Sequence, residues 1–330
     1  MEEAMKEVMI ATANINKEDL LHDFRPRLVI YKDGRVERFL GTQSIPPSID
    51  SLTGVESKDV VISTETGVSV RLYKPQGVKS NEKVPLLVYF HGGAFILETA
   101  TSPEYHNYLN VLSSKANVIV VSVDYRRAPE HPLPAAYDDS WAAVEWVRLG
   151  LAGAEPWLST HVDPARVFLA GDSAGANIAH HMAKRIAKCN NPDGKFALKG
   201  LVLVHPYFWG KDRIGSELQK LNSSSESRFD RLWKLAYPGT TGSDDPLFNP
   251  EMDPELSVLA GEKVLVFVAE NDLLRDRGAH YKDLLVKSEW KGEVQVIETE
   301  GEGHVFHLFK TVSPKAAQLM DHFVEFINSS

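Results

Sequence analysis

The stretch RVFLAGDSAGANIAHHMAKRI, residues 166–186, reads as a buried strand, a tight turn and an α-helix in direct succession. Its first residues are mostly apolar, as expected for a strand that is covered on both faces. The junction consists mainly of small residues: Gly171, Ser173, Ala174, Gly175 and Ala176. A turn this tight leaves one hydroxyl, that of Ser173, above the end of the strand. The stretch therefore predicts an α/β protein and singles out one side chain.

Strand and helix patterns alternate through most of the chain. Besides 166–171, seven apolar runs predict strands at residues 59–63, 68–75, 84–90, 117–125, 198–206, 263–270 and 293–299. Helical patterns occur at about 103–115, 137–151, 174–189, 276–289 and 314–328. This alternation predicts a mainly parallel, eight-stranded sheet with helices on both faces. The first two strands are close enough in sequence to form an antiparallel hairpin at the edge.

Two segments depart from this alternation. Residues 1–58 begin as a helix and continue as loop, with a small hairpin over 31–39, and residues 207–255 leave the sheet and return near Val264. The second excursion is too long for a simple crossover, and its aromatic residues favour a helical cap or lid over a surface ornament. We predict a single domain over 1–330, with cap elements in about 1–58 and 207–255.

The composition is that of an ordinary globular protein. Hydrophobic residues make up 43% and charged residues 25% of the chain, and the formal net charge of −9 argues against nucleic-acid and anionic-membrane partners. Cys189 is the only cysteine, which excludes an intramolecular disulfide and a Cys-based zinc site. Neither a secretory signal nor a run of roughly 18 apolar residues is found. We expect a cytoplasmic protein.

The residues around Ser173 match the pattern G-x-S-x-G, which between a strand and a helix indicates a nucleophile elbow. The two glycines let strand and helix pack closely around a strained serine, and the helix N-terminus beneath it favours negative charge. A serine also needs a base that accepts its proton, an acid that orients the base, and donors for an oxyanion. The alternative is a tight turn without chemistry.

The segment YFHGGAF (89–95) ends the strand 84–90 and supplies candidate donors. A His-Gly-Gly loop in this position is typical of an oxyanion hole built from backbone amides. We assign the donors to the amides of Gly92, Gly93 and Ala174. Ala94 stands where such loops often have a third glycine, a departure that leaves the backbone donors intact. We interpret His91 as a structural residue.

The base and the acid are predicted in loops after two late strands. His304 follows the last strand in the Gly-rich stretch TEGEGH, whereas His307 lies between aromatic residues and reads as packed against the core. Asp272 is the first aspartate after the strand 263–270, and Glu270 is a possible substitute. We therefore predict Ser173, Asp272 and His304 as nucleophile, acid and base.

Seven stretches of the chain together resemble the plant carboxylesterases of the hormone-sensitive-lipase branch of α/β-hydrolases. They are IYKDGRVERF (30–39), PLLVYFHGGAF (85–95), VSVDYRRAPEHPLPAAYDDSWAAVEWV (121–147), GDSAGANIAHH (171–181), LWKLAYPG (232–239), DLLRDR (272–277) and GHVFHLF (303–309). The order serine, acid, histidine is also that of α/β-hydrolases. The resemblance implies the α/β-hydrolase fold and an esterase.

The same branch contains proteins with other functions. Gibberellin receptors have lost the catalytic histidine, isoflavanone dehydratases can carry threonine at the elbow, and certain alkaloid cyclases have lost or repurposed members of the triad. Here all three residues are present, which favours hydrolysis. Two alternatives stay open: a lyase or cyclase of plant secondary metabolism that uses His304 for proton transfer, and a non-catalytic small-molecule (hormone) receptor.

By this resemblance we expect a serine carboxylesterase that cleaves short-acyl esters of natural products or xenobiotics. The chemistry needs neither a metal nor an organic cofactor, and the only partner we expect is the small-molecule ester. Six apolar side chains near the motifs are candidates for the substrate pocket, although core residues would show the same pattern: Phe95, Ile96, Leu97, Phe208, Trp209 and Phe306.

Overall fold

The structure is a computed structural model that describes residues 2–79, 82–189, 196–221 and 226–329. Within these residues the strands are β1 (Leu20–Asp23), β2 (Leu28–Tyr31), β3 (Val36–Arg38), β4 (Glu56–Val61), β5 (Ser69–Lys74), β6 (Val84–Phe90), β7 (Ile119–Asp124), β8 (Val162–Asp172), β9 (Leu198–Val204), β10 (Lys263–Ala269) and β11 (Glu293–Thr299). The α-helices are α1 (Glu2–Ala11), α2 (Pro103–Ala116), α3 (Ala135–Leu149), α4 (Pro156–His161), α5 (Ala174–Lys188), α6 (Glu217–Lys220), α7 (Arg228–Ala236), α8 (Arg275–Lys287), α9 (Phe306–Phe309) and α10 (Pro314–Asn328).

Eight strands form the main sheet, in the order β11-β10-β9-β8-β6-β7-β5-β4. Neighbours from β11 to β7 pair in parallel, whereas β5 pairs antiparallel with both β7 and β4. The predicted mainly parallel, eight-stranded sheet and its antiparallel edge hairpin are therefore confirmed. The carboxyl ends of β6, β8 and β10 meet at one edge of the sheet, which is where sites form in such folds.

Helices cover both faces of this sheet because its central strands are apolar on both sides. Every residue of β6, VPLLVYF, is buried. One apolar core joins the sheet to α3, α5 and α8, and a second joins the opposite face to α2 and α10. Since both faces are covered by apolar cores, the carboxyl ends of the strands are the places where a site can form.

The N-terminal region contains more strand than the sequence indicates. After α1 in the chain, strands β1, β2 and β3 form a separate antiparallel sheet. The predicted hairpin over 31–39 is the second half of this three-stranded unit. Arg38 attaches this unit to the main body, because its guanidinium donates to the carbonyls of Ile96 and Ala128 and pairs with Glu130. Strand β4 begins at Glu56, slightly inside the predicted cap element.

The insertion between β9 and β10 carries two helices, α6 and α7. Helix α7 begins with a capping box, in which the side chains of Ser227 and Asp230 each accept from the other's backbone amide. Trp209 fixes the insertion internally by donating its indole N–H to Asp230 at 2.9 Å. None of the described helices combines the length and the apolar character that a bilayer crossing requires.

Candidate active site

Ser173 lies at the junction of β8 and α5 in a left-handed backbone conformation, with φ 53° and ψ −117°. Such a conformation is strained for a residue with a side chain. A Cβ on Gly171 would overlap the backbone of Gly175, and a Cβ on Gly175 would overlap the carbonyl oxygen of Phe90. Both flanking positions therefore require glycine for steric reasons, and the elbow stands directly against the end of β6.

The structure brings the three predicted catalytic residues into one hydrogen-bonded line. His304 Nε2 lies 2.9 Å from Ser173 Oγ, and His304 Nδ1 lies 2.6 Å from Asp272 Oδ2. The second oxygen of Asp272 accepts the amide of Leu274 at 3.0 Å. Glu270, the possible substitute, is exposed and accepts the amide of Gly301 instead. The acid position beside His304 is therefore occupied by Asp272.

Asp272 is buried, with 2% of its surface exposed. Burial alone would favour the neutral acid, but the charge and hydrogen bond of His304 outweigh it and lower the pKa of Asp272 below its ordinary value. An ionised Asp272 accepts a hydrogen bond from the N–H of His304 Nδ1. His304 Nε2 then carries no hydrogen and can accept a hydrogen bond from the hydroxyl of Ser173. This is the tautomer that a general base needs.

The oxyanion loop differs from the prediction at one position. The amide of Gly92 donates to Tyr105 Oη at 2.8 Å, so it is not free to bind an oxyanion, and its assignment as a donor was wrong. Gly93 and Ala94 both adopt positive φ, at 98° and 55°, and line the cavity above Ser173. Among the described residues, their amides and that of Ala174 have no hydrogen-bond partner.

The tyrosine that holds Gly92 also reaches the residue before the nucleophile. Tyr105 Oη donates to one oxygen of Asp172 at 2.9 Å, and Tyr89 Oη donates to the other at 3.0 Å. Burial raises the pKa of Asp172 to about 6, partly offset by these hydrogen bonds. His91 has the structural role expected of it, since its ring stacks on Tyr125 with centroids 4.1 Å apart.

His205, at the end of β9, is a functional candidate that the sequence analysis missed. Its Nδ1 accepts the amide of Val305 at 2.9 Å and thereby holds the residue directly after His304. Atoms of His205, Asp272 and His304 lie within 4.8 Å of one another, a spacing that metal ligands also show. Both nitrogens of His304 and Nδ1 of His205 are already hydrogen bonded, so we assign the cluster to orientation of the base.

A cavity of about 300 Å³ opens above Ser173. Of the six predicted substrate-binding residues, only Leu97 lines it. Phe95 packs among aromatic rings of the core, Phe208 lies against His180 and Tyr281, and Trp209 lies against Phe229. Ile96 is fully buried, and Phe306 packs against His205. The prediction was wrong for these five because they pack in the two apolar cores and do not line the cavity.

The apolar walls come from other elements. Leu40 from the N-terminal region and Phe229 and Leu232 from α7 close the cavity on the cap side, and Leu308 from α9 completes it. Both predicted cap segments therefore contribute side chains above Ser173. The sequence signal for Phe229 and Leu232 was their spacing of three on one face of a helix.

Comparisons with known proteins show which family the chain belongs to. The chain matches the family described as alpha/beta hydrolase fold over residues 87–308. Probable carboxylesterase 2 of Arabidopsis thaliana is 44% identical over 314 residues, which cover 94% of this chain and 98% of that protein. The chain belongs to the plant carboxylesterase family of α/β-hydrolases. Tuliposide A-converting enzyme 1 of Tulipa gesneriana, named as chloroplastic, is 46% identical over 94% of this chain and 78% of its own.

Solved structures of esterases share the fold of this plant carboxylesterase-family protein. An esterase of Pyrobaculum calidifontis superimposes with a TM-score of 0.66 at 27% identity, over 83% of this chain and 85% of its own. A fungal esterase from Rhizomucor miehei gives a TM-score of 0.71 at 25% identity, over 84% and 85%. The predicted family and the predicted α/β-hydrolase fold are both confirmed.

Charged side chains also line the cavity of this family member, and the sequence analysis did not find them. Besides Asp172, next to Ser173, they are Arg27, Glu98, Glu104 and Arg228. Their positions in sequence, on the N-terminal unit, the loop after β6, α2 and α7, carry no common motif. Only the fold reveals that they share one cavity.

Proposed function

We propose that this carboxylic-ester hydrolase is a serine carboxylesterase that cleaves short-acyl esters of small molecules, natural products or xenobiotics, through an acyl-enzyme. One observation carries the proposal. Ser173 Oγ, His304 and Asp272 form a continuous hydrogen-bonded chain at the base of a cavity. A hydroxyl in such a chain can lose its proton to the imidazole at the moment of attack.

In the first step Ser173 Oγ forms a bond to the ester carbonyl carbon while its proton passes to His304 Nε2. Asp272 stabilises the imidazolium that results. The carbonyl oxygen becomes an oxyanion, which accepts hydrogen bonds from the amides of Gly93, Ala94 and Ala174. One such donor can contribute about 3 kcal/mol to the transition state.

The first tetrahedral intermediate then collapses: the bond between the carbonyl carbon and the alcohol oxygen breaks, His304 gives its proton to the departing alcohol, and the acyl group stays on Ser173. Water then enters, His304 takes one of its protons, and the hydroxide attacks the acyl carbon. Collapse of the second tetrahedral intermediate releases the carboxylic acid and restores the Ser173 hydroxyl. Every proton is transferred by side chains of this chain, so the proposal includes no cofactor.

The cavity supports a small substrate. Its volume of about 300 Å³ is at the lower end of the range for small-molecule sites. We propose that the segments 1–58 and 207–255 of this single domain act as the cap, because Leu40 and Phe229 close the cavity on that side. We also predict a cytoplasmic location. A full-length fluorescent fusion found in plastids of plant cells would contradict it.

The test is hydrolysis of p-nitrophenyl acetate by the wild type, Ser173→Ala and His304→Ala. We expect kcat/KM to fall by about three or more decades in each variant. His322→Ala, which removes a surface histidine of α10, is the control and should retain wild-type activity. Activity that survives Ser173→Ala would overturn the mechanism.

The same experiment separates the two alternatives. Certain relatives are named for conversion of tuliposide A and not for hydrolysis, which keeps a lyase or cyclase in view. Such an enzyme would tolerate Ser173→Ala and fail with His304→Ala. A receptor would bind its ligand without turnover, and rapid phosphorylation of Ser173 by an organophosphate would argue against it.

A further inference from the structure

Glu98 is a cavity residue for which the proposed hydrolysis has no use. It follows the oxyanion loop and adopts a left-handed backbone conformation with φ 64°, which is unfavourable for a residue with a side chain. Its carboxylate oxygen Oε2 is buried without a hydrogen-bond partner. Buried polar atoms are nearly always paired, and Glu98 is one of the residues that line the cavity, so its unpaired carboxylate oxygen is a candidate acceptor for a polar group of the substrate.

Several polar groups face Glu98 from the elements around it. Ser102 favours its ionised form through a hydrogen bond, Glu104 at the start of α2 and Asp172 at the end of β8 favour the neutral form, and Arg127 after β7 favours the ionised form. Burial is the largest influence and raises the pKa of Glu98 to about 7. Both protonation states are therefore accessible near neutral pH.

Two guanidinium groups line the same cavity. Arg27 and Arg228 lie near enough that the charge of Arg228, together with burial, lowers the pKa of Arg27. Neither has an ion-pair partner within the described residues. A cationic ligand would be repelled by this pair, and a carboxylate ligand would be repelled by Glu98 and Glu104. A hydroxyl is neutral, and it can donate to a carboxylate or accept from a guanidinium, so it is compatible with both kinds of charged group in the cavity.

We propose that Glu98 is a specificity residue that accepts a hydrogen bond from a hydroxyl group of the substrate, so that the preferred substrates are neutral, hydroxylated esters. This inference rests on the proposed esterase function and adds a substrate class to it. The hydroxyl can lie on the alcohol or on the acyl side of the ester. A hydrogen bond to a buried carboxylate is stronger than one between neutral groups.

Two pairs of esters test the proposal, one for each side of the scissile bond. Glycerol 1-butyrate is compared with propyl butyrate, and methyl 3-hydroxybutyrate with methyl butyrate. Hydrolysis is followed by titration of the released acid. The measured quantity is the preference, which is the ratio of the two kcat/KM values within a pair. We expect the wild type to prefer the hydroxylated ester in at least one pair. Absence of preference in both pairs would overturn the proposal.

Variants of Glu98 then assign the preference to its carboxylate. Glu98→Leu removes the acceptor and should lower the ratio by about tenfold or more. Glu98→Gln keeps one acceptor oxygen and should give an intermediate ratio. Glu104→Gln removes a neighbouring charge that favours the neutral form of Glu98, so it should leave the ratio unchanged or raise it. Glu325→Gln, the same change at an exposed carboxyl of α10, is the control and should alter the ratio by less than about twofold. A ratio that falls with Glu104→Gln and not with Glu98→Leu would also overturn the assignment.

The pH dependence provides a readout that a structural role would not change. The ionised carboxylate is the stronger acceptor, so the wild-type ratio should rise between pH 6 and pH 8, as Glu98 loses its proton. Any effect of pH on catalytic steps that both esters of a pair share cancels in the ratio. Glu98→Gln should show a flat ratio. Thermal unfolding and titration of Ser173 with an organophosphate verify that each variant is folded.

Failure of this inference can be distinguished from failure of the proposed function. If the wild type hydrolyses neither p-nitrophenyl acetate nor any of the four esters, the esterase proposal fails. If it hydrolyses all four without preference, only the role of Glu98 fails. Binding of glycerol 1-butyrate to Ser173→Ala, measured by calorimetry with and without Glu98→Leu, tests the hydroxyl contact independently of turnover. We expect Glu98→Leu to weaken this binding by about tenfold or more.

Discussion

The two glycine-containing turns of the active site, GDSAG at 171–175 and HGGAF at 91–95, use glycine for different purposes. In the first turn the glycines create room, since a side chain on Gly175 would overlap the carbonyl of Phe90. The atom that we propose as functional is a side-chain oxygen. In the second turn the proposed functional atoms are backbone amides, and their directions depend on partners elsewhere in the chain.

This difference explains why the sequence predicted the position of the Ser173 hydroxyl at the end of a strand but did not predict the direction of the Gly92 amide. The sequence gives the residue type that carries the hydroxyl, Ser173, and the flanking residues only have to be small enough for the turn. The direction of the Gly92 amide is set by Tyr105, a residue of α2 thirteen positions away. A residue type can be read from a motif, whereas the direction of an amide has to be seen.

The largest effect is expected at the first turn. Gly175→Ala forces a Cβ into the carbonyl oxygen of Phe90, a backbone atom that cannot rotate away. We expect the free energy of unfolding to fall by about 3 kcal/mol or more, with loss of esterase activity. Chemical denaturation and p-nitrophenyl acetate hydrolysis measure both effects.

Gly239→Ala is the control for this prediction, because a Cβ there meets only the ring of Tyr237, at 3.4 Å or more. Its unfolding free energy should stay within about 0.5 kcal/mol of the wild type. Equal stability of the two variants would show that close packing is not the reason for glycine at the elbow.

The second turn is tested by removing single amides. Replacement of Ala94 by lactic acid through nonsense suppression exchanges one N–H for oxygen and keeps the methyl group. If this amide binds the oxyanion, kcat should fall by about two to three decades with little change in KM. Replacement of Gly92 by glycolic acid should lower kcat far less, because that amide already donates to Tyr105. The reverse order would restore Gly92 as a donor.

A third turn, at the histidine, sharpens the comparison. His205 holds the amide of Val305, so His205→Ala leaves a buried N–H without an acceptor. We expect kcat to fall by about tenfold. His205→Asn places an amide oxygen near the position of Nδ1 and should recover most of the loss. If Asn and Ala behave alike, His205 contributes packing and does not position the base.

The smallest effect concerns the cavity wall. Leu97 lines the cavity, whereas Phe208 packs against His180 and Tyr281 below it. Leu97→Trp should shift the preferred acyl chain to a shorter length in a series of p-nitrophenyl esters, because the larger ring fills space. Phe208→Leu should lower the unfolding free energy by about 1 kcal/mol and leave the chain-length preference unchanged. A shift caused by Phe208→Leu would contradict this assignment.

Periodicity and motifs predicted the frame of the molecule well. The eight strands of the main sheet and the five long helices around it were predicted within a few residues, because apolar runs and amphipathic patterns record local burial. The hydrogen-bonded line of Ser173, His304 and Asp272 was anticipated because each residue lies in the turn or loop that follows a strand. The pocket was predicted poorly, since an apolar residue such as Phe95 looks the same whether it lines a cavity or fills the core.

The charged residues of the cavity were missed for a related reason. Arg27 and Glu98 are far apart in sequence, and neither belongs to a motif. Both line one cavity because the N-terminal three-stranded sheet lies next to the loop after β6, where Arg38 donates to the carbonyl of Ile96. Only half of that sheet was predicted. Long-range contacts between irregular segments leave no periodic trace.

The carboxyl group of Asp172 links the turn that carries Ser173 to the loop 91–95 by hydrogen bonds. Asp172 directly precedes Ser173, and two hydrogen bonds through the hydroxyl of Tyr105 connect its carboxylate to the amide of Gly92. Any shift of one half of the site is therefore transmitted to the other. Changes at Asp172 and Tyr105 should act as a coupled pair, with a joint cost to turnover smaller than the sum of their separate costs.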